Sequence, residues 1–321
     1  MNISRSERAG TLLILASVTG YSILPVFIKA LQTAGLNSLD IATWRFGLAA
    51  PLFWLMVRVL RLPAGDRPLP RLRLLGMGTL LAIAAVATFW GFERIPAGTF
   101  VVLFYTYPAI VAVLSALMGE PLPAAGWGAL VLTTIGIILT VPDFGQGAGN
   151  DNLVGVLLAL FCAFVVAIYF ILSSRLLKDH TAFGTASAWT TTGALLLLLL
   201  LIPFRAAQMP GDFANHLGEI TFSMPLLAAA HPNGAELWLR IFGIATISTV
   251  LAGFLLMVGI QKVGAARASI IGTVEPILTL IFTRIFLGEE MLPVQLLGGV
   301  FIVASVIVLE LGTRIKVSAL E

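Results

Sequence analysis

Cysteine, histidine and charge are all scarce in these 321 residues, and each scarcity removes a class of function. The single cysteine, Cys162, allows no intramolecular disulfide, and its place inside an apolar run reads as a small packing residue. The three histidines, His180, His216 and His231, fall in predicted loops, so no zinc set, nucleophile triad or catalytic carboxylate pair can be assembled. The chain therefore reads as no enzyme, with no metal and no cofactor. Gly145, Gly147 and Gly149 lack the Lys-Ser/Thr ending of a phosphate-binding loop and have no flanking strand, which argues against ATP chemistry. Charged residues make up 11% of the chain against 59% hydrophobic ones, more apolar surface than a soluble core can hide, so an all-α integral membrane protein is expected. The net charge of +3 comes from basic residues at the ends of apolar segments. They are not interleaved with aromatics, which suits a lipid bilayer surface and not nucleic acid.

Ten apolar segments can be read in order. Arg5 and Arg8 precede a charge-free run, 9–28, that is longer than a signal-peptide core and has no convincing cleavage site, so it is read as a retained helix. Segments 2 to 5 are expected at 38–57, 74–92, 97–118 and 124–141, the last following Pro121 and Pro123. A polar, glycine-rich stretch, 142–152, reads as a linker. Segments 6 to 10 follow at 153–174, 181–204, 237–261, 266–287 and 291–309. The 205–236 connection is long, and its FSMPLLAAA portion is too short to span a membrane, so an interfacial segment or short helix is expected, with a gating lid as the alternative.

The charges give the orientation. With a cytoplasmic N-terminus, thirteen of the 19 Lys and Arg residues, Arg67 and Arg314 among them, fall inside, whereas Lys29, Arg94, Arg205, Arg240 and Arg284 fall outside. Both termini are then cytoplasmic in a cell inner membrane. Five segments per half is an odd number, so the halves 9–141 and 153–309 enter the membrane in opposite senses, as two inverted five-helix repeats with 205–236 as an external insertion. The halves also share a pattern. AGTFVVLFYTYPAIVAVLSALMGEPL (97–122) and AARASIIGTVEPILTLIFTRIFLGEEM (265–291) align Pro108 with Pro276, and Gly119-Glu120 with Gly288-Glu289 after a slip of one residue.

Segment 9 spans roughly 33 Å at 1.5 Å per residue, which puts Glu275 near the membrane midplane. An ionised group there costs on the order of 2.5–3.5 kcal/mol on insertion scales, so something must offset it. Glu275 can bind a substrate amine or carry a coupling proton; the alternative is a structural carboxylate hydrogen-bonded between helices. Tyr21 and Tyr107 near the midplane, with Tyr105 and Tyr169 somewhat off it, offer phenols and ring faces to a solute, or simple packing. Thr246, Ser248 and Thr249 add polarity to segment 8. A sealed bundle without such residues would suit a non-transporting membrane partner or lipid-handling subunit.

The two halves, the closing EPILTLIFTRIFLGEEMLPVQLLGGVFIVASVIV, its counterpart YPAIVAVLSALMGEPLPAAGWGALVLTTIGIILTV and the Arg45-Phe46 pair resemble the EamA family of the drug/metabolite transporter superfamily. The resemblance covers almost the whole chain. It implies a ten-helix secondary transporter of small organic solutes, often an exporter of amino acids or related metabolites, with a cavity lined mainly by helices 1, 3, 4, 6, 8 and 9. Uptake of a vitamin or nucleobase-like compound is the alternative. This chain departs from the family pattern in its long connection after segment 7 and in Tyr107 standing where the second half has Glu275. Arg45 can attract a substrate carboxylate, but helix 2 is peripheral in the related fold, which favours a role in tying helices together.

Overall fold

The computed structural model describes residues 5–62, 68–119, 124–140, 150–177, 180, 182–263, 268 and 271–318. Arg67, Glu120, Pro121, Pro123, Lys178, Arg267 and the 142–149 part of the linker lie outside them. Every element among the described residues is helical. In order these are α1 (Arg5–Ser22), α2 (Leu24–Thr33), α3 (Ser38–Val59), α4 (Arg71–Phe92), α5 (Ala97–Phe104), α6 (Tyr107–Leu117), α7 (Ala124–Thr140), α8 (Asn150–Leu176), α9 (Phe183–Gln208), α10 (Phe213–Thr221), α11 (Ser223–Ala230), α12 (Gly234–Ala245), a π-helical segment (Thr246–Leu251), α13 (Ala252–Val263), α14 (Val274–Leu287) and α15 (Pro293–Ser318). Six stretches, Arg8–Thr33, Arg71–Phe92, Ala97–Leu117, Asn152–Leu176, Phe183–Gln208 and Gly234–Ile260, are long and apolar enough to cross a bilayer. This is a multi-pass membrane protein.

Several helices are interrupted, and proline explains where. Pro108 has no N–H to bond the carbonyl four residues back, and α5 stops at Phe104 with α6 starting at Tyr107. Pro276 does the same in the second half, where α14 begins at Val274 after a turn at Thr273. The first apolar run, read as one helix over 9–28, is longer and broken: α1 ends at Ser22, and α2 restarts beyond Ile23 with Pro25 in its first turn. The last helix continues past 309 to Ser318.

Glycine sets the close crossings. A Cβ on Gly78 would lie 2.2 Å from Thr190 O and one on Gly193 2.1 Å from Leu75 O, so α4 and α9 meet backbone to backbone. Gly136 and Gly298 bring α7 onto α15 in the same way, and Gly10 and Gly259 bring α1 onto α13. The Gly10 crossing marks one end of the bundle, the proximal end. At the distal end, Gln32 of α2 donates to Phe89 O (2.8 Å) and Ser38 Oγ (2.9 Å). Between lies a core of fully buried side chains that includes Ile28, Leu31, Phe46, Phe89, Phe92, Phe100 and Leu103.

The long connection forms α10 and α11 and docks at the distal end. Arg205, read as lying beyond segment 7, falls in the last turn of α9 and pairs with Asp40 of α3 at 3.0 Å. Trp44 Nε1 donates to Ser223 Oγ (3.1 Å), and Met224 is fully buried in the core. No residue of α10 or α11 lines the central cavity.

Candidate functional site

The broken helices converge on a cavity in the middle of the bundle. Its inner chamber, about 340 Å³, is walled by α1, α2, α3, α4, α5, α6, α8, α13 and α14. A second chamber of about 440 Å³ shares Tyr21, Arg45, Phe46, Leu81, Tyr169, Phe170 and Leu256 with the first. It runs towards Ser173, Phe183 and Ile260 near the proximal end. The two form one continuous space that reaches from mid-depth to that end.

Glu275 stands in the inner chamber at the start of α14, half-buried. No ion pair reaches its carboxylate among the described residues. Its nearest electrostatic partners are the phenols of Tyr105 and Tyr21. The break that places it also frees backbone: Tyr105 Oη donates to Gly272 O (3.3 Å), the carbonyl that Pro276 leaves without a helical partner. Ser22 Oγ, at the end of α1, donates to Glu275 O (3.1 Å) and so joins the break at Ile23 to the break at Thr273.

Arg45 faces both chambers from α3. Its Nε donates to Thr249 Oγ1 at 3.0 Å, and its guanidinium lies 5.2 Å from the Phe46 ring centre and 5.9 Å from that of Phe89. Its terminal nitrogens hold no hydrogen bond to the described residues, leaving them open to a solute. Thr249 is held by the π segment, where its Oγ1 donates to Ile244 O (2.8 Å), five residues back.

The tyrosines gather into an aromatic wall. Phe104, Tyr105 and Tyr107 contact one another at ring-centre distances of 5.3–5.9 Å, and Tyr107 stacks on Phe170 at 5.3 Å. Tyr169 sits beside Phe170 at 6.3 Å. Tyr21 joins the two chambers.

Of the residues singled out in the sequence, Glu275, Tyr21, Tyr105, Tyr107, Tyr169, Arg45 and Thr249 line this space. Thr246 does not; its hydroxyl donates to Phe242 O (2.6 Å) on its own helix. The sequence reading missed Phe46, Thr88, Phe104, Cys162, Phe170 and the Thr190-Thr191 pair, all cavity-lining. Only the run Thr190-Thr191-Thr192, polar in the middle of an apolar segment, carried a signal that could have found them. Cys162 has its sulfur 3.2 Å from Thr88 Oγ1 in the cavity wall. No cluster of three or more metal-ligating side chains occurs among the described residues.

The profile of the EamA-like transporter family matches residues 8–141 and again 153–311. The uncharacterized transporter YcbK of Bacillus subtilis is 26% identical over 310 residues, covering 93% of this chain and 92% of that protein. The threonine/homoserine exporter RhtA of Escherichia coli K12 is 28% identical over 236 residues, 73% of this chain and 70% of its own length. A solved crystal structure superposes with a TM-score of 0.58 at 16% identity, covering 94% of this chain and 96% of the other, which is a likeness of fold.

Proposed function

This chain belongs to the EamA-like transporter family, and from that premise we propose that it is a secondary active exporter of a zwitterionic solute, an amino acid or related metabolite. It works by alternating access between two inverted five-helix repeats, 9–141 and 153–309, in the cell inner membrane with both termini cytoplasmic. One observation carries the reading: a single cavity with aromatic rings in its wall holds a guanidinium with free donors, Arg45, and a carboxylate, Glu275, without an ion-pair partner among the described residues. Burying either charge without a partner is costly, so a solute that brings the opposite charge to each is favoured there. The solute carboxylate is received by the terminal nitrogens of Arg45, where a planar fork matches two oxygens. Its ammonium is received by Glu275, and its side chain rests against Phe46, Phe104 and Phe170.

Glu275 also supplies the coupling. One carboxylate can hold an ammonium or a proton but not both, so occupancy by one expels the other and the two move in opposite directions. RhtA, a threonine/homoserine exporter, supports the amino-acid class and the outward direction. The test is flux in proteoliposomes against a panel of amino acids, vitamins and nucleosides, with and without a pH gradient. Saturable, gradient-dependent amino-acid flux is expected. Flux confined to vitamins or nucleosides would overturn the substrate assignment, and no flux of any solute would overturn the transport reading.

A further inference from the structure

The Gly-Glu motif that closes segment 9 lines neither chamber of the central cavity, yet at the distal end it bridges three helices. Gly288 adopts φ +66°, a left-handed cap that favours glycine, and Glu289 N bonds back to Thr283 O (3.3 Å). That cap directs the Glu289 side chain across to α5. One carboxylate oxygen accepts from Ala97 N at 2.9 Å, and the other accepts from Gly98 N at 3.0 Å. These are the first two residues of α5, whose N–H groups have no partner within the helix. Lys29, in the middle of α2, lies 3.6 Å from the same carboxylate and also donates to Ile95 O (3.5 Å).

The three elements so joined are half-helices that begin or end at the cavity. α2 starts at the break beside Tyr21, α5 ends at Phe104 next to Tyr105, and α14 starts at Val274 next to Glu275. All three run from the cavity to the distal end. They are pressed together there: a Cβ on Gly98 would lie 2.8 Å from Leu280 Cδ2 and 3.2 Å from Thr283 Oγ1. They form a plug, and the Glu289 side chain reaches both α2 and α5 from the end of α14. The Glu289 side chain is 13% exposed and that of Lys29 26%, so solvent screens the contact weakly.

We propose that Glu289 is the positioning residue for the transport cycle: its carboxylate clamps the three half-helices into a plug that closes the distal end while the cavity opens proximally, and release of the clamp admits the distal-open state. This rests on the alternating-access reading of the proposed function. Helices broken at the cavity can swing as rigid halves, so the clamp is what holds them in one of two positions.

Spin labels at Thr33→Cys, in the last turn of α2, and Leu292→Cys, beyond α14, measure the opening by electron–electron distance in lipid nanodiscs. Protein carrying only Cys162, which is 2% exposed, is the blank. One narrow distance distribution is expected without further change. Glu289→Gln should add a longer-distance population and raise the ratio of open to closed by about tenfold or more, the loss expected when charge-assisted bonds become neutral ones. Lys29→Gln leaves both backbone bonds in place and should give a smaller shift in the same direction. Glu290→Gln, on the exposed Arg284–Glu290 pair, should give none. A distribution unchanged in both Glu289→Gln and Lys29→Gln overturns the clamp, and if Glu289→Gln does not fold, an unchanged Lys29→Gln does so alone. Flux in the same preparations separates the two ideas. Solute flux with unchanged distances defeats the clamp and leaves transport standing, whereas shifted distances without flux of any solute defeat the transport reading and leave the clamp standing.

Discussion

Replacing Glu275 by glutamine keeps the shape of the side chain and removes its charge, and the surroundings of the carboxylate set the effect on stability and on transport. No ion pair among the described residues depends on it; its carboxylate meets the Tyr105 phenol, which also donates to Gly272 O, and Ser22 bonds the Glu275 main chain, contacts that an amide of the same shape keeps. An ionised group at this depth costs about 2.5–3.5 kcal/mol on insertion scales, and the amide, still polar, recovers part of that. Glu275→Gln should therefore be as stable as the parent or more stable by roughly 1–2 kcal/mol, a rise in melting temperature of about 2–4 °C. Transport should behave oppositely. Removing one partner of a desolvated charge pair costs about 2–5 kcal/mol, so flux at low solute concentration should fall at least about thirtyfold, and any residual exchange should lose its dependence on the pH gradient. The assay is thermal unfolding in detergent beside flux in proteoliposomes from one preparation. A lower melting temperature with parental flux at every pH would refute the reasoning and return Glu275 to a structural role.

Thr249→Val is nearly isosteric but deprives Arg45 Nε of its acceptor, so solute affinity should weaken about tenfold with little change in maximal flux; an unchanged affinity would mean that Arg45 merely ties α3 to the π segment. Gly193→Ala forces a methyl group to within 2.1 Å of Leu75 O, so it should destabilise the bundle by about 1–3 kcal/mol in thermal unfolding, and a parental melt would contradict the close α4–α9 crossing. A cysteine at position 67 should react with impermeant reagents only from the cytoplasmic face, and one within 209–233 only from outside. Labelling of position 67 from outside intact cells would sink the inverted arrangement.

What could be read in advance was whatever depends on chemistry close in sequence. Glu275 announces itself because no apolar segment carries a charge without compensation, whereas Pro108 and Pro276 stand inside segments read as continuous, 97–118 and 266–287, and only the structure shows the breaks they make. Arg45 could be noticed but not interpreted, since its acceptor Thr249 is 204 residues away and only the fold brings them together. Thr246 and Thr249 share a face on an ordinary helix, three residues apart. The π segment holds more residues per turn and separates them, so Thr249 reaches the cavity and Thr246 does not. Nothing in TISTVL signals that extra residue. Likewise Pro25 lay within an uninterrupted apolar run, and hydrophobicity alone hid the break at Ile23. The Arg205–Asp40 pair escaped notice because neither residue stands out until α9 is seen to extend far enough to bring them together.

The breaks in the helices at Tyr105-Thr106 and at Thr273 have a mechanical consequence. An intact helix resists bending because each degree of tilt stretches bonds that must later be remade. In these two helices Pro108 and Pro276 have no N–H to give, so one bond that would resist is already absent at each bend. Each behaves as a rod scored part of the way through: stiff on either side, compliant along one line. Tilting of the halves about such lines therefore strains few backbone bonds.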